Sequence, residues 1–311
     1  MLRKNMIFRS FAVRNKNMAR INLAGVGVAL VTPFRQDKSI DFDALGRLLE
    51  YQIKNSIDYI VVLGTTAETP TLDAEEKRQV REYVAQRVAG RVPLVLGVGG
   101  NNTMAVAREL ETTDLKDYSA VLSVVPYYNK PSQEGIYQHY VEIARRSPLP
   151  VILYNVPGRT GVNMTAETTL RLAHEFENII GIKEASGNIS QMDEIIKNKP
   201  SDFMVISGDD GITFPLITLG AVGVISVIGN AFPKEFSRMV RLAREGSYDR
   251  ALMIHHRFTE LFNLLFVDGN PAGVKCVLHA MGMIENELRL PLVPTRLTTY
   301  ERIRRVLSEL E

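Results

Sequence analysis

Short apolar runs rich in β-branched residues recur along this chain of 311 residues and constrain its fold more than any other feature. Eight such runs occur, at residues 25–31, 59–63, 94–98, 120–125, 151–154, 179–183, 203–207 and 222–227. Segments with helical spacing separate them, for example residues 43–54, 74–88, 103–116, 134–145 and 166–176. Apolar strands that alternate with helices indicate a parallel sheet covered on both faces, and eight such units close a barrel.

The main alternative to a barrel is a doubly wound open sheet, which in dinucleotide-binding proteins carries a three-glycine turn after a strand. The glycines at 25 and 27 lack the third member of that turn, and those at 97, 99 and 100 lack its spacing. We therefore predict an α/β protein with a TIM (β/α)8 barrel over residues 21–229.

The pattern changes after residue 227. Segments with helical spacing now follow one another without a strand between them, at residues 233–244, 248–267, 272–281 and 299–310. We interpret residues 230–311 as a C-terminal helical region appended to the barrel, because no linker composition separates two independent domains.

The first 20 residues form a basic extension with six Lys or Arg residues and no acid. Such a segment is a nucleic-acid arm, a transit peptide or an extension upstream of an alternative start at Met18, and we favour the last, with a disordered extension. Without those six residues, 31 basic residues stand against 35 acidic ones. No basic patch interleaved with aromatics remains, so no nucleic-acid partner is expected.

Composition also bears on the compartment. A single cysteine, Cys276, excludes an intrachain disulfide and is typical of a reducing compartment, so we expect a cytoplasmic protein. No run of 18 apolar residues predicts a membrane span. The five histidines have no metal-ligand spacing, so no metal site is expected.

Lys183 ends the apolar run 179–183 and is followed by Glu184, so a primary amine lies where a predicted strand meets solvent. A lysine desolvated in such a position can lose its proton near neutral pH and attack a carbonyl to form a Schiff base. The alternative is a lysine that leaves the sheet and extends its ammonium into water. Polar residues at the ends of other strands favour the nucleophile.

These polar residues follow three other predicted strands. They are Thr65 and Thr66 after the second strand, Tyr128 after the fourth, and Tyr154 and Arg159 after the fifth. The loops after the strands of a parallel barrel lie on one rim, so we expect these side chains to share one mouth with Lys183.

The chemistry of this set suits a keto acid. An amine attacks the ketone, a phenol relays protons, hydroxyls hold a carboxylate, and a guanidinium binds a second carboxylate at two points. Asp209 and Asp210, after the seventh strand, would repel a phosphate from the loops where many barrels bind one. A substrate with two carboxylates fits better than a sugar phosphate.

Four motifs at these strand ends resemble the dihydrodipicolinate synthase family, within the N-acetylneuraminate lyase and class I aldolase superfamily. They are Gly-Thr-Thr-Ala-Glu at 64–68, Pro-Tyr-Tyr-Asn-Lys-Pro at 126–131, Tyr-Asn-Val-Pro-Gly-Arg-Thr-Gly at 154–161 and Gly-Ile-Lys-Glu-Ala at 181–185. The resemblance covers residues 22–311. It implies condensation of pyruvate with L-aspartate-4-semialdehyde to 4-hydroxy-tetrahydrodipicolinate, on the diaminopimelate route of lysine biosynthesis.

The resemblance also implies a role for each matching residue. Lys183 would form the pyruvate imine without a further cofactor, Tyr154 would act as general acid and base, and Thr65 would link Tyr154 to Tyr128 in a proton relay. Thr66 would bind the pyruvate carboxylate, Arg159 the carboxylate of the semialdehyde or product, and the Ile225 backbone carbonyl would line the pyruvate site. Tyr128 would come from a neighbouring subunit, because the family is commonly a homotetramer built as a dimer of dimers; for Tyr127 we expect a subunit contact instead of catalysis.

The chain departs from the family pattern at two places. Ala67 stands where the family usually has glycine, and alanine would cost about 1 kcal/mol or more if that position had positive φ. Lysine-sensitive relatives tend to carry histidines where this chain has Ala74 and Lys77, and a glutamate where it has Ala105. We expect weak or absent lysine feedback, because the acid that would pair with the inhibitor's amine is lost and a repelling cation is gained.

Two rival functions remain open from the sequence. An N-acetylneuraminate lyase or a 2-keto-3-deoxy-sugar-acid aldolase shares the lysine and tyrosine but generally lacks an arginine at the position of Arg159. A catalytically silent keto-acid sensor would keep the pocket without the reaction, and intact Lys183, Tyr154 and Thr65 argue against it.

Overall fold

The computed structural model describes residues 21–310, and the predicted disordered extension at residues 1–20 lies outside the described residues. Eight strands form within the described residues: β1 (Gly25–Ala29), β2 (Tyr59–Val62), β3 (Leu94–Gly97), β4 (Ala120–Val124), β5 (Val151–Asn155), β6 (Ile179–Glu184), β7 (Met204–Ser207) and β8 (Gly223–Ser226). They pair in sequence order, all in parallel, and β8 closes on β1. Each apolar run of the sequence coincides with one strand, and the predicted TIM (β/α)8 barrel is confirmed.

Side chains that point into the barrel form a core of their own. This cluster includes Tyr59, Ile152, Tyr154 and Ile225, contributed by β2, β5 and β8. Gly27 belongs to the same layer, and a Cβ there would lie 2.1 Å from the ring of Tyr59. The barrel interior is therefore filled by side chains, and the carboxyl ends of the strands are the place for a site.

Twelve helices occur among residues 21–310. They are α1 (Phe42–Lys54), α2 (Ala74–Val88), α3 (Thr103–Thr112), α4 (Gln133–Arg146), α5 (Pro157–Thr160), α6 (Ala166–Glu175), α7 (Ile189–Asn198), α8 (Thr213–Leu219), α9 (Pro233–Arg244), α10 (Tyr248–Val267), α11 (Ala272–Ala280) and α12 (Leu297–Leu310). The larger hydrophobic core lies between the strands and the helices around them. Helix α2 begins with a capping box, in which Asp73 accepts from the Glu76 amide at 2.8 Å and Glu76 accepts from the Asp73 amide at 3.0 Å.

Helices α9 to α12 follow the last strand without a further strand, as predicted. Helix α9 packs on β1 and α8, and α10 packs on α9, α11 and α12. The boundary near Gly229 between barrel and helical region stays a prediction, because α9 contacts both parts. No helix within residues 21–310 combines the length and apolar character needed to cross a bilayer.

Candidate active site

Tyr154 on β5 and Lys183 on β6 are aligned partners in the parallel ladder. Aligned residues of neighbouring strands point to the same face, and Tyr154 belongs to the interior cluster. The Lys183 Nζ lies 4.3 Å from the centroid of the Tyr154 ring. Lys183 is 5% exposed and Tyr154 is 6% exposed. The amine and the phenol thus share one buried site inside the barrel.

A bulge in β6 sets this alignment. Between the first two aligned pairs, β5 advances by one residue from Val151, whereas β6 advances by two from Ile179. The additional residue is Ile180. A regular ladder would align Lys183 with Asn155, on the face that points away from the interior. The inward direction of the lysine therefore depends on this bulge.

The Lys183 side chain is closely packed. At Gly208, a Cβ would lie 3.1 Å from Lys183 Cε and 2.6 Å from the Ala185 Cβ. Within residues 21–310, the ion pairs include neither Lys183 nor Arg159.

The turn after β2 carries the two threonines of the first motif. Thr65 begins a 3-10 turn, Thr65–Ala67, in which Thr66 and Ala67 are buried. Positive φ falls on Leu63 and Glu68, at 55° each, and not on Ala67. The energetic cost considered for alanine at this position therefore does not arise.

Asn270 links two of the predicted binding residues and was not identified from the sequence. Its Nδ2 donates to the Thr66 Oγ1 at 3.1 Å, and its backbone carbonyl accepts from the Arg159 Nη2 at 3.1 Å. Asn270 is 7% exposed. It lies in the loop before α11, far along the chain from any strand. The Asn-Pro dipeptide at 270–271 indicates a turn, but nothing in it indicates a contact with the barrel mouth.

Tyr128 lies apart from the buried pair. Its φ is 73°, its amide donates to the Thr160 carbonyl at 3.3 Å, and the residue is 87% exposed. Tyr127 is also exposed. The hydrogen bonds among residues 21–310 do not join Thr65 to Tyr154 or to Tyr128. The predicted proton relay thus stays a prediction.

Ile225 on β8 is buried in the interior cluster that also contains Tyr154. Asp210 has a different place from the one its position after β7 indicated. Its Oδ2 accepts from the amides of Val227 and Ile228, at 3.0 and 2.8 Å. Burial raises the pKa of Asp210 to about 6. The Asp210 carboxyl therefore binds the backbone of the residues that follow β8. Asp209, in contrast, is partly exposed.

Similarities to known proteins bear on this arrangement. The model of the Dihydrodipicolinate synthetase family matches residues 22–310. A 4-hydroxy-tetrahydrodipicolinate synthase of Parabacteroides distasonis is 70% identical over 293 residues, which cover 94% of this chain and 99% of that protein. The crystal structure of dihydrodipicolinate synthase from Thermotoga maritima is similar with a TM-score of 0.90 and 42% identity, over 92% of this chain and 98% of the other. A structure described as the first monomeric dihydrodipicolinate synthase variant has a TM-score of 0.88 and 42% identity, over 92% and 96% of the two chains.

Proposed function

The chain belongs to the dihydrodipicolinate synthetase family, and we propose that it condenses pyruvate with L-aspartate-4-semialdehyde to 4-hydroxy-tetrahydrodipicolinate. One observation carries this proposal: Lys183 and Tyr154 are aligned on adjacent strands inside the barrel, with the amine 4.3 Å from the phenol ring. The reaction makes this chain a Schiff-base-forming lyase of the diaminopimelate pathway.

Lys183 is the proposed nucleophile. Its neutral amine adds to the C2 carbonyl of pyruvate, the carbinolamine loses water to form an imine, and the C3 methyl then loses a proton to give an enamine. C3 attacks the aldehyde carbon of the semialdehyde, whose oxygen gains a proton. The amine of the semialdehyde then replaces Lys183 at C2, which closes the ring and frees the lysine. The imine itself accepts the electron pair when C3 loses its proton, and the enamine then donates that pair to the aldehyde carbon, so we propose that no further cofactor takes part.

Tyr154 is the proposed acid and base for these proton transfers, because it is the buried phenol beside the amine. We propose that Thr65 connects it to Tyr128 of a neighbouring subunit in a homotetramer built as a dimer of dimers. The exposure of Tyr128 supports this assignment, since a phenol on the surface of one chain is available to another. Because one similar structure is described as a monomeric variant, the number of subunits in the assembly of this chain has to be measured.

Thr66 and Arg159 are the residues proposed to bind the carboxylates of pyruvate and of the semialdehyde, respectively. Because Asn270 donates to the Thr66 hydroxyl oxygen, the hydroxyl hydrogen is left to donate to the pyruvate carboxylate. Arg159 is exposed and makes no ion pair among residues 21–310, so its guanidinium is available to the carboxylate of the semialdehyde. The Ile225 backbone carbonyl would line the pyruvate site.

Lysine feedback is proposed to be weak or absent. Ala74 at the start of α2 and Ala105 in α3 have exposed side chains that offer a bound lysine neither a hydrogen bond nor a charge, and Lys77 adds a like charge. Half-inhibition by submillimolar lysine in steady-state assays would contradict this proposal. We also assign the enzyme to the cytoplasm, which the single buried Cys276 supports.

The test of this function compares aldehyde acceptors. With pyruvate as the common donor, turnover of L-aspartate-4-semialdehyde is expected to exceed turnover of N-acetylmannosamine and of other sugar-derived aldehydes, which lack the carboxylate that Arg159 would bind. Faster turnover of N-acetylmannosamine would assign the chain to the sugar-acid aldolases. Pyruvate binding without turnover of any aldehyde would favour a silent keto-acid sensor.

A further inference from the structure

Each member of the buried amine and phenol pair is followed on its strand by a buried polar residue. Asn155 follows Tyr154, Glu184 follows Lys183, and these two residues are also aligned partners in the ladder. Both are fully buried. Because side chains alternate along a strand, Asn155 and Glu184 point away from the interior, toward the outer helices.

Glu184 is held by neutral donors. The Asn155 Nδ2 donates to both of its carboxylate oxygens, at 3.2 and 3.1 Å. The Gln191 Nε2 donates to Oε2 at 2.9 Å, and the Ser186 amide donates to Oε1 at 2.8 Å. Burial raises the pKa of Glu184, and the hydrogen bonds from Asn155, Gln191 and Ser186 oppose that rise. Glu184 is buried on the face opposite to that of Lys183, and its bonds join it to neighbouring elements of the fold.

The same bonds extend to the elements outside the strands. The Met164 amide donates to the Asn155 Oδ1 at 3.0 Å, and the Gln191 Nε2 donates to the Met164 carbonyl at 3.1 Å. Gln191 belongs to α7, and Met164 lies just before α6. The bonds therefore connect β5, β6 and the two following helical segments at one point.

This point lies downstream of the bulge at Ile180. In a regular ladder Glu184 would move to the interior face, where a buried carboxylate would lack the amide of Asn155. The contact between Asn155 and Glu184 is thus possible in the bulged register and lost in the regular one. We propose that Asn155 and Glu184 are positioning residues that select the bulged register and so hold Lys183 against Tyr154. This inference rests on the function proposed above.

An exchange of donor and acceptor tests the proposal. Asn155→Asp places two carboxyl groups side by side, and Glu184→Gln presents an amide to two amide donors. The double variant restores one amide and one carboxylate with their places exchanged. The readout is the rate constant for imine formation with pyruvate, obtained by quenching with borohydride at increasing times, together with its pH profile.

The expected result is a rate constant at least about tenfold lower in each single variant, because the amine is displaced from the phenol. The double variant should recover to within about threefold of wild type, as coupled residues do in a double-mutant cycle. The final amount of adduct measures how much of the protein is folded, whereas the rate constant measures how well the lysine of the folded protein is positioned. The two readouts therefore separate a positioning role from a simple loss of structure. Circular dichroism melting gives the folded fraction independently.

A matched control is Asn230→Asp, the same substitution at another buried asparagine of the barrel. The Asn230 Nδ2 donates to the carbonyls of Ala29 and Val227, at 2.9 and 3.0 Å, between the ends of β1 and β8. This variant should melt at a lower temperature while its folded fraction forms the imine at the wild-type rate constant.

Wild-type rate constants in both single variants would overturn the proposal, even if less adduct forms. A double variant no faster than the slower single variant would overturn it as well. If a single variant does not fold, the double variant alone tests the proposal. A rate constant near that of wild type would support it, and one far below would overturn it. Absence of any adduct in the wild type would instead refute the proposed function, and with it this inference.

Discussion

The Lys275 ammonium lies 2.5 Å from a carboxylate oxygen of Glu68, and both side chains are completely buried. Glu68 ends the turn that carries Thr65 and Thr66, whereas Lys275 belongs to α11. The Lys275 Nζ also donates to the Glu287 carbonyl at 2.9 Å, and the Arg289 amide donates to Glu68 at 3.0 Å. The C-terminal helical region thereby fixes a turn at the mouth of the barrel.

Lys275→Met should lower the free energy of unfolding by about 3–5 kcal/mol, because it leaves the Glu68 carboxylate buried without a cation. The double variant with Glu68→Gln should lose less than the sum of the single changes, since it removes both charges. Urea denaturation of all variants gives these values. Arg305→Met is the control, because Arg305 pairs with Glu260 at an exposed site, 59% and 40% exposed, and should cost less than about 1 kcal/mol. Additive effects of the two buried substitutions would contradict this account.

Arg159→Met and Asn270→Ala should affect different substrates. Loss of the guanidinium should reduce kcat/KM for the semialdehyde by roughly ten- to a hundredfold, with little change in the KM of pyruvate. Asn270→Ala removes the bond to Thr66 but keeps the backbone carbonyl that Arg159 contacts, so it should raise the KM of pyruvate by about tenfold. Steady-state kinetics with each substrate varied in turn measures both. Equal effects of the two variants on the kinetic parameters of both substrates would show that Thr66 and Arg159 do not bind separate carboxylates.

Gly208→Ala should slow imine formation by roughly ten- to a hundredfold, because the new methyl group competes with the Lys183 side chain for space. Gly211→Ala, on the same loop, is the matched control, since its Cβ would lie 3.4 Å or more from its neighbours. Borohydride trapping at short times compares the two. A wild-type rate in Gly208→Ala would mean that the lysine is not confined as described.

Asp210 predicts a pH dependence of stability. Burial raises its pKa from 3.8 to about 6, so the folded protein binds more protons than the unfolded chain between these values. Stability contributed by the protonated form is present below about pH 4 and is lost as the pH rises through about 6, by about 3 kcal/mol. Asp210→Asn keeps an acceptor for the Val227 and Ile228 amides but does not titrate. From pH 4 to pH 7, the unfolding free energy of wild type should therefore fall relative to that of this variant by most of that amount in urea titrations, and a constant difference would refute it.

The barrel could be predicted from sequence because its strands are apolar on both faces and short, with helices between them. Lys183 and Tyr154 could be placed at one rim for the same reason. The alignment of Lys183 with Tyr154 on the interior face could not be predicted, because it depends on the bulge at Ile180. A bulge of one residue cannot be recognised in a run of aliphatic side chains.

Contacts between segments that are distant in the chain could not be predicted from the sequence either. Asn270 contacts Thr66 across a separation of 204 residues, and Lys275 pairs with Glu68. Asn270 and Lys275 lie outside the strand-end motifs, so the sequence did not indicate these contacts. The question about Ala67 depended on which residue of the turn takes positive φ, and the neighbours Leu63 and Glu68 take it instead. Composition and periodicity report local structure, whereas these features are set by tertiary packing.

The site of pyruvate attachment shows whether Lys183 is the nucleophile. Wild-type protein is incubated with pyruvate and borohydride, digested, and mapped by mass spectrometry, with Lys183→Arg in parallel. We expect one reduced pyruvate adduct per chain, on Lys183, and none in the variant. An adduct on another lysine, such as the buried Lys275, or no adduct in the wild type, would contradict it.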